Sequence, residues 1–304
     1  MLLAVGSGRY YIWGMRQRLA PTVVLIIMAI IILTPTFASA QDATQRRDDA
    51  GQSRIIGRSV QGRPIRVEVI GNGDGNGDGD VDVIIVGGIH GGYEANSIAL
   101  ARRFAAYFRA DPQRLPEDVT VHIIDNMNPD GLHAVTGGTP LEEFDFRAVD
   151  ARPGRFNANG VDLNRNWDGN WQPQSTWRNT IVDAGSQPFS EPETRAVRDY
   201  FKEVQPAASV FYQSAGAFLW YSGAEEGWEP SLRMAEAYGY ASRYRVVRPA
   251  PPRPGEEDDI TGSADDYFYQ IGHRNVTVEL TTHYVLEWDR NLAGFQALLT
   301  HLAN

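Results

Sequence analysis

The chain has 304 residues, of which 42% are hydrophobic and 22% charged, and a formal net charge of −10. That is globular composition, long enough for one large domain or two small ones, and its acidic balance argues against nucleic acid or an anionic membrane as partner. The absence of cysteine excludes disulfides and thiolate metal sites, so any metal must use His, Asp, Glu or neutral oxygen ligands.

Taken in chain order, residues 15–40 come first. Met15-Arg16-Gln17-Arg18 is followed by an apolar run from Pro21 to Leu33 and by Ala38-Ser39-Ala40. A basic stretch, an apolar core and a small-x-small site predict a signal peptide over 1–40, cleaved after Ala40. The mature chain is then expected in the periplasm or outside the cell, with no stable membrane insertion. Met15 is an alternative start. A retained N-terminal anchor is the competing reading, disfavoured because the run is short for a membrane span. With no cysteine near the cleavage site, a lipoprotein is excluded. Residues 41–53 read as a disordered lead-in, and 54–304 as the folded domain.

Ile65 to Ile70 alternates like a half-buried strand, and Asn72 to Asp80 is a turn of Gly, Asn and Asp. That turn resembles a calcium loop, but the twelfth position counted from Asp74 is Ile85, not the bidentate Glu such a loop needs, so a solvated turn is expected. Val83 to Val86 is a continuous apolar run, the pattern of a strand covered on both faces. Glu94 to Arg109 has helical periodicity, and Val119 to Ile124 reads as a strand. Ser190 and Glu193 suggest a capping box opening a helix that ends near Val204. Ala208 to Tyr212 and Val276 to Glu279 are predicted strands; Ala264 to Ile271 and Leu286 to Leu302 are predicted helices. The alternation predicts an α/β fold: one domain with a mixed, largely parallel twisted sheet flanked by helices.

Three stretches carry chemistry. Gly87-Gly-Ile-His90-Gly-Gly-Tyr93-Glu94 joins a buried strand to a helix, where open α/β sheets bind ligands. Imidazole and carboxylate suit zinc, although an isolated pair would read as a capping His and a surface Glu. Asn164-Arg165-Asn166 sets an amide beside a guanidinium, whose planar fork matches a carboxylate; alone it reads equally as a structural ion pair. Glu279 ends an otherwise apolar strand, where a carboxylate is costly to desolvate unless paired or used.

Together, GGIHGGYE, NPDG (Asn128–Gly131), GVDLNRNW (Gly160–Trp167), SEPE (Ser190–Glu193) and TVELTTH (Thr277–His283) resemble the zinc metallocarboxypeptidase family of carboxypeptidases A and B. The likeness spans residues 54–304 and is strongest to secreted bacterial members, some of which act on cell-wall peptides. It implies one zinc ion, with His90 and Glu94 as ligands and a later His as the third. It also implies Asn164 and Arg165 as binders of the substrate carboxylate, Glu279 as general base, and Arg155, or less favourably Arg152, as the upstream arginine that polarises the scissile carbonyl. Asp265 falls near the base of the pocket for the terminal side chain, where it would favour a basic residue; Asp266 is its neighbour, and an acidic pair favoured by the helix dipole is the alternative.

The sequence departs from that pattern twice. His90 and Glu94 are one residue further apart than in the family, with Tyr93 where Glu is usual; a glycine-rich turn is expected to absorb the difference. Gln213 stands where the third ligand His is expected, and its neutral amide oxygen is a weak donor for zinc. His283 is a candidate replacement, though a place behind the ligands is favoured. His122, in an apolar strand, reads as a satisfied core histidine. The resemblance implies a zinc-dependent carboxypeptidase acting on peptides or proteins with a free C-terminus. The alternatives are a non-catalytic peptide-binding homologue, with Gln213 weakening the metal site, and a cell-wall peptide amidase or peptidase of the same fold.

Overall fold

The computed structural model describes residues 53–71, 81–222, 229–247 and 260–303. The predicted signal peptide, most of the lead-in and the Asp74–Asp80 turn lie outside them. The fold is α/β, one domain built on an eight-stranded mixed sheet. In chain order the strands are β1 (Ser53–Arg58), β2 (Pro64–Gly71), β3 (Val81–Val86), β4 (Val119–Ile124), β7 (Ala208–Ser214), β8 (Phe218–Tyr221), β9 (Arg245–Val247) and β10 (Asn275–Leu280). They lie side by side as β1-β2-β4-β3-β7-β10-β8-β9. The central run β4-β3-β7-β10 is parallel, whereas β1-β2, β2-β4 and β10-β8 pair antiparallel. A separate hairpin joins β5 (Gln174–Trp177) to β6 (Thr180–Asp183).

The central strands read as unbroken apolar runs because both faces are covered. Successive side chains point to opposite faces. Val83, Ile85, Val210, Tyr212, Val276 and Val278 pack on one side, where α1 (Ala95–Ala110), α4 (Glu229–Ser242) and α6 (Trp288–Leu302) supply Phe104, Phe108, Tyr238 and Phe295. Ile84, Val86 and Phe211 face the other side, against Trp167 and against Phe201 and Phe268 from α3 (Pro192–Val204) and α5 (Ala264–Gln270). The remaining helix, α2 (Pro129–Thr136), is capped by the Asn128 side chain, which accepts from the Gly131 N–H. No helix among the described residues is long and apolar enough to cross a membrane.

Two sequence expectations need correction. The first strand begins at Ser53, inside the predicted lead-in, because residues 53–58 pair with β2. The capping box at α3 does not form. Glu191 is the N-cap residue, the Ser190 hydroxyl donates to Glu191, and the Glu193 carboxylate accepts from the Val60 N–H and from Asn157. Pro192 at the first helical position, with its pre-set φ, opens the helix instead.

Candidate active site

Three parallel neighbours, β3, β7 and β10, deliver side chains to one crevice at their carboxyl ends, where sheets of this kind bind ligands. The turn after β3 brings His90 and Glu94, while the ends of β7 and β10 bring Gln213 and Glu279. Thr277 and Glu279 share the face of β10 opposite Val276 and Val278, so Glu279 leaves the apolar core and enters the crevice.

The longer spacing between His90 and Glu94 is taken up locally. Gly91 has φ +45°, and Gly91–Glu94 forms a single 3-10 turn. A Cβ at Gly91 would meet the Gly154 carbonyl oxygen at 2.7 Å and the Leu132 nitrogen at 2.8 Å, so only glycine fits. His90 Nδ1 consequently lies 2.7 Å from Glu94 Oε1, with both residues buried. His90 Nε2 is 3.3 Å from Asp162 Oδ1 without a hydrogen bond, and Glu94 Oε2 is buried with no partner among the described residues. Tyr93 turns aside and packs against Trp177 and His283.

Orphaned buried oxygen and nitrogen atoms on a converging His–Glu pair fit a divalent cation, because burial without a partner otherwise costs free energy. The set is thin. Among the described residues no group of three His, Cys, Asp or Glu is placed to hold a metal. His283 is not grouped with His90 and Glu94; its Nδ1 pairs with the Ser214 hydroxyl at 3.0 Å, and its Nε2 is buried with no partner among the described residues. Gln213 lines the same crevice as His90 and Glu94, and its Oε1 is 3.5 Å from Asn164 Nδ2. The candidate donors lining the crevice are thus one imidazole, one carboxylate and one neutral amide oxygen.

Asp162, within the GVDLNRNW stretch, was not singled out from the sequence, although it holds the site together. Arg155 donates from Nε to Asp162 Oδ2 at 2.9 Å, and its NH2 group lies 2.8 Å from the same oxygen. Burial alone would push the Asp162 carboxyl up, but Arg155 and Arg165 outweigh it and hold it well below the usual carboxylate range. The signal was there: a carboxylate two residues before Asn164 in a motif already read for chemistry. Arg155 also approaches Glu94 at 3.8 Å and stacks on Trp177 at 4.5 Å. Arg152, by contrast, is exposed and clamped to Asp150.

Asn164 and Arg165 line the crevice from a short 3-10 turn. Asn164 Oδ1 accepts from the Ala264 N–H at 3.0 Å, while Arg165 donates to the carbonyls of Thr176 and Asn164. The guanidinium plane is thereby held in place before any ligand arrives. Also lining the crevice, Asp265 Oδ1 accepts from Asn275 Nδ2 and the Thr277 hydroxyl, each at 2.8 Å. Its neighbour Asp266 also lines the crevice and forms a capping box with Ser263 at the helix start. Burial pushes Asp265 up to about 6, with Asp266 adding to the rise. Burial, then Glu94 and Asp265, push Glu279 up to about 8 against the pull of Arg155. The crevice has a volume of about 410 Å³. Outside it, His122 is satisfied by Tyr200 and Asp82, as a core histidine should be.

The family model for zinc carboxypeptidases matches residues 38–289. Carboxypeptidase SOL1 of Arabidopsis thaliana is 26% identical over 175 residues, 56% of this chain and 30% of that protein. Murein peptide amidase A of Escherichia coli (strain K12) is 41% identical over 68 residues, 19% of this chain and 28% of that protein. The matches thus span about a third of the length of these relatives. In fold, the chain is similar to the carboxypeptidase A of Helicoverpa armigera, with TM-score 0.64 and 19% identity over 88% of this chain and 72% of that one. It is also similar to the murein-tripeptide amidase MpaA of Escherichia coli O157, with TM-score 0.57 and 21% identity over 86% of this chain and 95% of that one. With a family match across most of its length, and a crevice in which the family's motifs converge, this chain belongs to the zinc carboxypeptidases.

Proposed function

We propose that the chain is a metal-dependent peptide hydrolase that removes a C-terminal residue. One observation carries this reading: His90, Glu94, Arg155, Asn164, Arg165, Gln213 and Glu279 line a single crevice. Asn164 and Arg165 bind the terminal carboxylate, the fork of Arg165 being held by backbone carbonyls. Arg155, fixed by Asp162, stabilises the negative charge that develops on the scissile carbonyl oxygen. Glu279 takes a proton from the attacking water and passes it to the departing amine. Asp265, in the wall of the crevice, favours a basic terminal side chain.

His90 and Glu94, with the Gln213 amide oxygen, are the residues that would hold the cation. Bound zinc supplies Lewis acidity and a more acidic water. Export through residues 1–40 is part of the same proposal. Metal analysis after dialysis against zinc, together with an assay for released C-terminal amino acids, tests the reading. About one zinc per chain and release of amino acids is the expected result; a metal-free, inactive chain that still binds peptides would leave a binding homologue.

A second reading keeps the crevice and changes the substrate. The likeness to murein peptide amidase A favours a cell-wall peptide. Side-by-side hydrolysis of linear peptides and muropeptides separates the two.

A further inference from the structure

The crevice does not end at the metal-facing pair. A second cavity, of about 230 Å³, lies beside it, and Tyr93 and Arg178 line both. Asn164, Arg165 and Asp265 occupy the first cavity, where the departing C-terminal residue is held. Tyr93 directly precedes Glu94 in the chain, and it forms part of the wall of both cavities. A substrate whose terminal residue fills the first cavity therefore runs its acyl side, the part N-terminal to the cleaved bond, over Tyr93 into the second.

Charge in that second cavity is uneven. Arg152 is there, but Asp150, also in its wall, neutralises it through hydrogen bonds at 2.6, 2.9 and 3.0 Å. Arg178 forms no ion pair with any acid among the described residues; its guanidinium lies 5.6 Å from the centre of the Trp177 ring. Arg178 also sits where an arginine is out of place. It and Asn179 are the two loop residues of the hairpin between β5 and β6, with φ values of +48° and +61°. Two-residue hairpins with positive φ at both positions favour Asn and Gly, and a long side chain at the first costs on the order of 1 kcal/mol. A strained residue kept at the lip of two cavities invites a functional reading. The tight turn also limits where its guanidinium can go.

Resting on the carboxypeptidase reading above, we infer that Arg178 is a specificity residue that pairs with a carboxylate on the acyl side of the cleaved bond, so the preferred substrate carries an acidic residue just before its C-terminal one. The guanidinium offers a fork for that carboxylate, and Asp150 is already occupied and does not repel it. Tyr93, His283 and Tyr284 provide the walls for the rest of the side chain.

The test is calorimetric binding to the zinc-supplemented full chain carrying Glu279→Gln, which keeps the peptides intact. N-acetyl-Glu-Arg and N-acetyl-Gln-Arg differ only in the acyl-side charge. The acidic peptide should bind about threefold more tightly, with the preference shrinking as salt rises, since Arg178 is exposed. Adding Arg178→Met should abolish the preference while leaving the affinity of the Gln peptide unchanged. Equal binding of the two peptides, or a preference that survives Arg178→Met, overturns the acyl-side assignment alone. Failure of both peptides to bind overturns the carboxypeptidase reading and this inference with it.

Discussion

Gln213 and Glu279 are register partners on neighbouring parallel strands, β7 and β10, so the neutral amide and the carboxylate enter the crevice side by side. The amide oxygen is 3.5 Å from Asn164 Nδ2, which links the end of β7 to the short turn that carries Asn164 and Arg165. A histidine in this place would offer the proposed cation a second imidazole in exchange for that amide oxygen.

Replacing Gln213 with His should therefore tighten zinc binding by at least about tenfold, since a neutral oxygen is exchanged for a stronger donor. Competition with a coloured chelator measures this directly, whatever the activity. Unchanged affinity would mean that Gln213 does not face the cation.

Glu279→Gln should lower kcat by roughly a hundredfold or more, the usual contribution of a positioned acid–base group, and leave peptide affinity nearly unchanged. A matched loss of affinity would instead make Glu279 a substrate-binding group.

Asp162→Ala should destabilise the fold by on the order of 3 kcal/mol, because it strands Arg155 in a buried site. Thermal unfolding reads this out. The additional change Arg155→Met should recover part of the loss, by removing the charge left behind.

Asp265 makes stability depend on pH. Its folded value of about 6 lies above its reference value of 3.8. The folded chain therefore holds the proton more tightly, and this stabilisation is complete below pH 3.8 and lost as pH rises through 6. His273 works in the opposite sense: burial, then Arg274, lower it from 6.5 to about 4, so its contribution is present above pH 6.5 and lost on acidification. Asp265→Asn keeps an acceptor for Asn275 and Thr277 and removes only the first effect. The variant should be more stable than the parent at pH 7 by on the order of 2–3 kcal/mol, and equal to it near pH 4. Denaturant unfolding at the two pH values checks it. In peptide assays the same variant should lose preference for a basic terminal residue.

Much of this molecule is written locally. The apolar runs of β3, β7 and β10, the helical periodicity of α1 and α6 and the glycine-rich turn before Glu94 are visible because each depends on a few adjacent residues. The strands β8 and β9 at one side of the sheet and the β5–β6 hairpin were not foreseen. They are short, and what defines them is pairing with distant segments. The capping box at Ser190 failed for a related reason: Glu193 had distant partners in Val60 and Asn157.

The sequence by itself determined which chemical groups are available: the His–Glu pair, the Asn–Arg pair, Glu279, and Gln213 in place of an imidazole. Only the tertiary structure decided how they meet. Separated by up to 189 positions in the chain, His90 and Glu279 share one crevice because β3, β7 and β10 lie parallel and end together. Asp162 bracing Arg155, and Arg178 at the lip of two cavities, follow from the same cause: contacts between remote residues depend on packing, which no short stretch of sequence encodes.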